Sequence, residues 1–330
     1  MTENKVTIVM YHFVRDEPLI GKKSIHALSI RQFVDQLNYM EKYYYFVTME
    51  QCIEAIYLNE SLPPNSLLLT FDDGYSDHYY NVFPILVEKN IQGCFFSVGK
   101  ILNDFEILDV NKIQLILAST SIEKIIGDLD QLIDQYKSIY GLKSWHEYES
   151  SLYYNHQYDS PKVTFVKALL QKGLKGESQH FFINELFRKY VTCDEEAVFQ
   201  KLYMDKEQLQ LMIANDMFVG THSYSHFWLD ELNQTQQEAE IEKSVAFLKQ
   251  LDIPESKWVM SYPYGAYNSS LINILKTNHF KLALTDQAHG GLIASLKRRN
   301  AFKLERLDAN DFLDIDLEKP NKWTQEVVSQ

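Results

Sequence analysis

Ser66-Leu67-Leu68-Leu69-Thr70-Phe71-Asp72-Asp73-Gly74 is the stretch on which the reading of this chain turns. Its unbroken apolar run predicts a strand buried on both faces, and Pro63 and Pro64 break the chain just before it. Two adjacent carboxylates at a strand tip oppose each other's ionisation unless a cation compensates them. A bound metal would do so; an Asx-type turn with Gly74 at positive φ is the plainer alternative.

Working outward, Val6 to Met10 reads as another buried strand, and Phe33, Leu37 and Met40 recur after it at helical spacing. Val82 to Asn90 reads as a helix and Ile91 to Val98 as a strand closed by Gly99. The alternation returns near the C-terminus with strands at Phe218 to Thr221, Trp258 to Ser261 and Leu282 to Thr285. Between them lie helices at Gln208 to Asn215, Gln236 to Leu251 and Leu271 to Asn278. Polar residues gathered just after strands are the pattern of a parallel α/β barrel with its site at the strands' C-terminal ends. From about Leu102 to Tyr203 strand signals fade and apolar residues such as Ile125, Ile126, Leu129, Leu132 and Ile133 keep helical spacing. The expected organisation is therefore a barrel from residues 1–101 and 206–330, with 102–205 as a mainly helical insertion.

Composition narrows the function. A net charge of -13, with Lys297, Arg298, Arg299 and Lys303 as the compact basic group, opposes nucleic-acid binding, which needs clustered cations. Cys52, Cys94 and Cys193 are odd in number and lack CxxC spacing, so no disulfide framework or zinc ribbon follows. The first apolar run is only five residues long, too short for a signal-peptide core, and no stretch of about 18 apolar residues exists. No membrane span and a cytoplasmic protein are expected. The 21 tyrosines and 19 phenylalanines suit sugar-binding clefts, but ordinary core and surface packing is the plainer reading of them.

Two further segments carry chemistry. Gly220-Thr221-His222-Ser223-Tyr224-Ser225-His226 follows a strand and offers two imidazoles at i and i+4, which converge if the segment turns helically. Taken with one carboxylate of the Asp72-Asp73 pair they make a three-ligand site with open positions for water and substrate. The second carboxylate beside it can take a proton from water made acidic by the cation. Ser261-Tyr262-Pro263-Tyr264-Gly265 also follows a strand, and Pro263 stiffens a loop from which the Tyr264 amide could serve as an oxyanion donor.

At these motifs the chain resembles the polysaccharide deacetylase family, the carbohydrate esterases (family 4) that share the NodB homology domain. The resemblance covers roughly the first hundred and the last hundred and twenty residues and implies a distorted (β/α) barrel of about seven parallel strands. TFDDG at 70–74 is similar to the first motif, implying Asp72 as base and Asp73 as metal ligand. HSYSH at 222–226 resembles the second and implies that His222 and His226 complete the ligand set. YPYG at 262–265 resembles the third, with the Tyr264 amide on the oxyanion. Two departures stand out. Ser261 occupies the place where many members carry an arginine that orients the base, so another cation or hydrogen bond must hold Asp72. The late Leu-x-His segment is replaced by Glu305-Arg306-Leu307-Asp308, whose Arg306 and Asp308 are expected to give support. Met10-Tyr11-His12-Phe13-Val14 resembles the first strand of the poly-N-acetylglucosamine deacetylase subgroup, implying His12 as general acid, held by a carboxylate such as Asp308.

The implied function is removal of the N-acetyl group from an amino sugar in a surface glycan, its oligosaccharide, or its nucleotide- or lipid-linked precursor. One divalent ion is expected, zinc first, with nickel, cobalt or iron also compatible with the donor set. Tyr75, Trp228, Tyr262 and Tyr267 lie beside the motifs and are the expected sugar-stacking residues. Rival readings are an amidase or deformylase acting on a small non-sugar amide, and a non-catalytic carbohydrate-binding protein; oligomeric state is left open.

Overall fold

The apolar run at 66–72 becomes the middle of a sheet. The strands, in chain order, are β1 Lys5–Tyr11, β2 Tyr45–Phe46, β3 Ser66–Asp72, β4 Gly93–Ser97, β5 Phe218–Thr221, β6 Val259–Ser261, β7 Leu282–Leu284, β8 Ala294–Ser295 and β9 Leu307–Asp308. The structure is a computed structural model and describes residues 4–19, 27–153, 159–286, 293–313 and 315–328.

Hydrogen bonding runs in the order β7-β6-β5-β4-β3-β1-β8. The six strands from β7 to β1 are mutually parallel, with short β2 and β9 parallel at their sides and β8 antiparallel to β1. Every residue of β3, β4, β5, β6 and β7 is buried, because helices cover the sheet's outer face and side chains fill its inner one. Helix Ile30–Tyr43 buries Phe33, Leu37 and Met40 and starts at a Ser29/Gln32 capping box; helix Gln234–Gln250 starts at an Asn233/Gln236 box. The result is a distorted (β/α) barrel built from a curled, mostly parallel sheet.

One stretch links the sheet's two ends. Leu304 forms a parallel bridge with Leu284 of β7, and a few residues on, Leu307 and Asp308 pair with Val9 and Met10 of β1. Residues 301–308 therefore carry hydrogen bonds from β7 across to β1. Because the six strands run parallel, their C-terminal tips all face one way, and Tyr11, Asp72, Thr221, Ser261 and Leu284 mark that rim.

The chain divides into two compact units: Met1–Asp16, Ala27–Phe105 and Leu202–Gln330 form the sheet-bearing one, and the other consists mainly of 106–201. Every regular element among the second unit's described residues is a helix. Its core joins Ile125, Leu129 and Ile133 of helix Ile122–Tyr140 with Phe182, Ile183, Leu186 and Phe187 of helix Gly176–Tyr190. Lys112 is buried there, donating to Asn184 Oδ1 and Glu195 Oε2 at 2.7 Å each, which compensates its charge. No helix among the described residues is long and apolar enough to cross a membrane.

Gly220, in the strand that delivers His222, has no room for a side chain. A Cβ there would lie 2.5 Å from Phe96 Cε1 and 2.8 Å from the Val259 carbonyl oxygen, and a backbone oxygen cannot step aside. Gly220→Ala is expected to lose about 1–3 kcal/mol. The check is the urea midpoint at unchanged slope; a midpoint equal to that of the parent chain would contradict this packing.

Candidate active site

Three strand tips supply the polar cluster. Asp72 is the last residue of β3, and the chain then turns through two successive left-handed residues, Asp73 and Gly74, each at φ +74°. Aspartate tolerates that region better than most residues, whereas at Gly74 a Cβ would also strike Ser97 Oγ at 2.4 Å. The Gly74 carbonyl accepts from the Met204 amide at 3.0 Å, which ties the turn down.

After β5 the segment 222–226 does not form a helix. His222 still donates its amide to Ser97 O at 2.8 Å, continuing the pairing with β4. Left-handed φ values at Ser223 (+62°) and His226 (+59°) then bring the imidazoles together, their centroids 5.0 Å apart. The helical turn expected from HxxxH is thus corrected to a bend, because Ser223 Oγ accepts from the His226 amide (3.0 Å) in place of a helical carbonyl. Glu240 pins the bend by accepting from the Ser225 amide and hydroxyl at 2.9 and 2.7 Å.

At the centre is the Asp73 carboxylate. Oδ2 accepts the Tyr75 hydroxyl at 2.5 Å. Oδ1 is buried and has no hydrogen-bond partner, although His226 Nε2 lies 3.2 Å and His222 Nε2 3.4 Å away. His222 Nδ1 lies 2.8 Å from the Ser261 carbonyl, which can only accept, so Nδ1 carries the proton and Nε2 turns a lone pair toward Asp73. Burial pushes the His222 ring down to about 4 against the pull of Asp72, keeping it neutral at ordinary pH. Burial also opposes the Asp73 charge, yet His226, His12 and His222 hold its carboxyl well below the usual range. An anionic oxygen and a nitrogen lone pair facing each other repel unless a cation lies between them. One carboxylate and two imidazoles with ligand atoms within 4.8 Å of one another suit a divalent ion, and the orphaned Oδ1 is what such an ion would satisfy.

Asp72 is held quite differently. Arg306 grips it with two parallel bonds, Nη1 to Oδ1 at 3.0 Å and Nη2 to Oδ2 at 2.7 Å, and the Ser261 hydroxyl donates to Oδ2 at 3.0 Å. Burial would raise this carboxyl, but the charge and hydrogen bonds of Arg306, together with His222, bring it down to about 2. Asp72 is ionised at any working pH.

His12 follows β1. Its carbonyl accepts from His78 Nε2 at 2.9 Å, and its charge acts on Asp72, Asp73 and Asp286. Asp308 does not hold it: Oδ1 accepts from the Asn310 amide (2.8 Å) and side chain (2.7 Å), capping the short helix Ala309–Phe312, and no bond to His12 exists among the described residues. This corrects the supporting role expected of Asp308. What fixes the segment is a part-buried ion pair from Arg15 to Asp77, whose Oδ2 also accepts the Val14 amide at 3.2 Å.

Two of the four expected stacking residues need correction. Tyr75 and Tyr262 are each 0% exposed, so neither ring offers a face to a sugar. Tyr75 is sandwiched between Phe13 and Tyr203 and orients Asp73, while the Tyr262 hydroxyl donates to Phe302 O at 3.2 Å. Tyr267 is half-buried and stacks on Tyr262. Trp228, also half-buried, lies flat on Tyr264 at 4.2 Å, and Tyr264 meets His226 edge-on at 4.8 Å. Tyr264 has a left-handed φ of +57° within the turn Pro263–Gly265.

Asp286 escaped the sequence reading. It follows β7 as Asp72 ends β3, and that strand-tip position was the available signal. Its Oδ1 is buried without a hydrogen bond and lies where a Gly265 Cβ would be, and burial raises its carboxyl despite Arg306.

With fold and geometry in view, the comparisons place the chain. A mostly parallel α/β sheet with acids and imidazoles on its C-terminal rim is the frame of a hydrolase site. The family model for polysaccharide deacetylase matches residues 59–128 and 158–283, more than half of the chain. The chain belongs to the polysaccharide deacetylase family, whose members are hydrolytic enzymes. Among solved structures, the Streptococcus pyogenes deacetylase PplD in complex with acetate is 17% identical, with a TM-score of 0.55 and coverage of 93% of this chain and 93% of that one. IcaB from Ammonifex degensii is 19% identical at a TM-score of 0.55, covering 98% and 96%. A de-N-acetylase from Aggregatibacter actinomycetemcomitans is 13% identical at a TM-score of 0.55, covering 98% and 100%. At such identities the likeness is one of fold. No curated protein matches.

Tyr75→Phe tests the cluster without unpacking it. Losing the hydroxyl frees Asp73 Oδ2 and is expected to weaken divalent-ion affinity about tenfold or more, as loss of an outer-shell partner does. Ion titration by calorimetry reads this, and unchanged affinity would mean that Tyr75 does not orient Asp73.

Proposed function

We propose that this protein hydrolyses the acetamide of an N-acetylated amino sugar, in a surface glycan, its oligosaccharide, or a nucleotide- or lipid-linked precursor. Family membership supports the substrate class. The mechanism rests on one observation above the others, the buried Asp73 Oδ1 that lies within 3.4 Å of the Nε2 atoms of His222 and His226, that of His222 turned toward it without a proton.

In this reading Asp73, His222 and His226 hold one divalent cation, zinc first among those the donor set accepts. Such an ion, when bound, polarises a carbonyl oxygen and makes water acidic. Asp72 is the base. Against the upward push of burial, Arg306 holds its carboxyl low and so makes it a weak base, which leans on the acidity that a bound cation would give to water. The Tyr264 amide, in its strained turn, is the donor assigned to the oxyanion, and His12 protonates the leaving amine. Trp228, stacked on Tyr264 beside His226, forms the wall against which a sugar face rests. The cation that Ser261 does not supply comes from elsewhere in the chain, since Arg306 gives Asp72 a bidentate guanidinium, and this supports the catalytic reading over a non-catalytic carbohydrate-binding one.

Free acetate released from a panel of N-acetylated sugar nucleotides, lipid-linked sugars and oligosaccharides tests the activity and selects the substrate. Asp72→Asn should keep the ion and lower acetate release by about 10³-fold or more, whereas His222→Ala should lose the ion on dialysis. Unchanged release from Asp72→Asn rejects the base assignment. For the acid, His12→Ala should retain the ion and lose about 10²–10⁴-fold in kcat; near-normal turnover would remove His12 from the mechanism.

A further inference from the structure

We propose that the foot of the sheet below β7, β8 and the start of β1, at the opposite end from the catalytic rim, is a docking surface for an anionic lipid bilayer. The inference does not depend on which amide the site hydrolyses.

From Lys276 to Lys303 the chain carries six lysines and arginines and one acid, Asp286, in a protein whose net charge is -13. Asp286 follows β7 at the rim, whereas five of the six cations gather at the other end. Lys281 immediately precedes β7, and Lys276 lies in the last turn of the helix Ser269–Thr277 that leads down to it. Ser295 of antiparallel β8 pairs with Lys5 at the start of β1, which sets Lys297, Arg298 and Arg299 at the same level. Aromatic rings hold two of these side chains. The Arg298 guanidinium lies 5.1 Å over Tyr57, whose hydroxyl donates to Lys281 O at 2.9 Å, and Lys276 Nζ lies 5.7 Å over Phe302. Among the described residues Lys276, Lys281, Arg298 and Arg299 enter no ion pair, although acids outnumber lysines and arginines by 45 to 32. Asp216, Asp252 and Glu255 precede β5 and β6, so the foot divides into an acidic half and a basic one.

Like charges held together repel, and an anion laid against them relieves that repulsion. An apolar neighbour decides which anion. Helix Met49–Tyr57 runs along the foot, from the Met49 amide, which donates to Gln92 Oε1 (2.9 Å) just before β4, to Tyr57 at Lys281. Leu58, the next residue after the ring on which Arg298 lies, is 66% exposed. A leucine gains nothing from a phosphate-rich polymer, whereas a bilayer offers acyl chains to the leucine and headgroup phosphates to the cations. A planar membrane also meets this end alone and leaves most of the chain's negative charge beyond a Debye length of about 10 Å, while a long polyanion passes over it. Glu54 and Glu60, exposed on either side of Leu58 in the chain, offset part of the attraction but are outnumbered by the five cations. Docking by this end turns the rim of Asp72, Asp73 and His222 away from the bilayer.

Sedimentation of the full chain with lipid vesicles tests this without any substrate. Binding is expected to vesicles of phosphatidylglycerol and phosphatidylcholine, to be absent with phosphatidylcholine alone, and to fall steeply as salt rises. Each cation near the surface is worth about fivefold in partitioning, so Arg298→Glu/Arg299→Glu should lose about a hundredfold or more. Lys124→Glu, a charge reversal on the exposed side of helix Ile122–Tyr140, should bind as the parent does. Leu58→Ser should lose about tenfold on the vesicles, while its retention on a heparin column stays that of the parent. A parent chain that leaves phosphatidylglycerol vesicles in the supernatant overturns the proposal, and so does a charge-reversed double variant that binds them undiminished. Parental vesicle binding by Leu58→Ser overturns it as well, by making the patch a site for soluble polyanions. The two substitutions act separately, so a fold defect in one, read as a lowered urea midpoint, leaves the other to decide.

Discussion

A shortage of positive charge governs this site. Asp72 and Asp73 are adjacent, buried and ionised, and among the described residues one buried guanidinium, Arg306, faces them directly. Arg306 is committed to Asp72 by two bonds, and burial keeps His222 neutral. Asp73 is left as an anion with one oxygen unsatisfied. Removing an ion from water carries a penalty of several kcal/mol even after relaxation, so a fold that builds such a group needs a compensating cation. The left-handed turn at Asp73 and Gly74, the bend that aims both imidazoles, and the Tyr75 hydroxyl all converge on that anion. In the proposed reading, tolerating the pair of acids and recruiting an ion are two aspects of one constraint.

Arg306 connects this electrostatic problem to the architecture. It lies between Leu304, which bridges to β7, and Leu307, which pairs with β1, so the residue that neutralises Asp72 also sits where the ends of the sheet meet. Its bonds reach Thr70 and Asp72 of β3, Ser261 of β6 and the carbonyl after β7. Loss of the guanidinium would leave a buried carboxylate unpaired and loosen four chain segments together. Stability and positioning are therefore hard to separate at this residue, whereas Ser261 contributes little volume and acts chiefly on the carboxylate.

Much of this was legible in the sequence, for definite reasons. Continuous apolar runs such as Ser66 to Phe71 read as strands because a parallel sheet is buried on both faces, and the positions of Asp72, Asp73, His222 and His226 just beyond such runs pointed to a shared rim. The two-residue strands β2, β8 and β9 carry no periodicity, since distant partners define them. Helix Met49–Tyr57 was readable from its Thr48/Gln51 capping box but was passed over. HxxxH suggested a helical turn because spacing alone cannot reveal left-handed residues at Ser223 and His226. Tyr75 and Tyr262 looked like sugar platforms because adjacency to a motif says nothing about direction; their rings point inward to Phe13 and Tyr203, and to Tyr267. Nor could spacing reveal that Asp308 serves as a cap while its near neighbour Arg306 meets Asp72, a distinction made by long-range contacts.

The central claim is that Asp73, His222 and His226 close around one ion. Cobalt added to the metal-free protein and followed by visible and X-ray absorption tests it most directly. The expected result is saturation at about one ion per chain, with two imidazole nitrogens and at least one carboxylate oxygen as protein ligands. Absence of saturable binding, or a bound ion with no imidazole in its coordination sphere, would contradict the account.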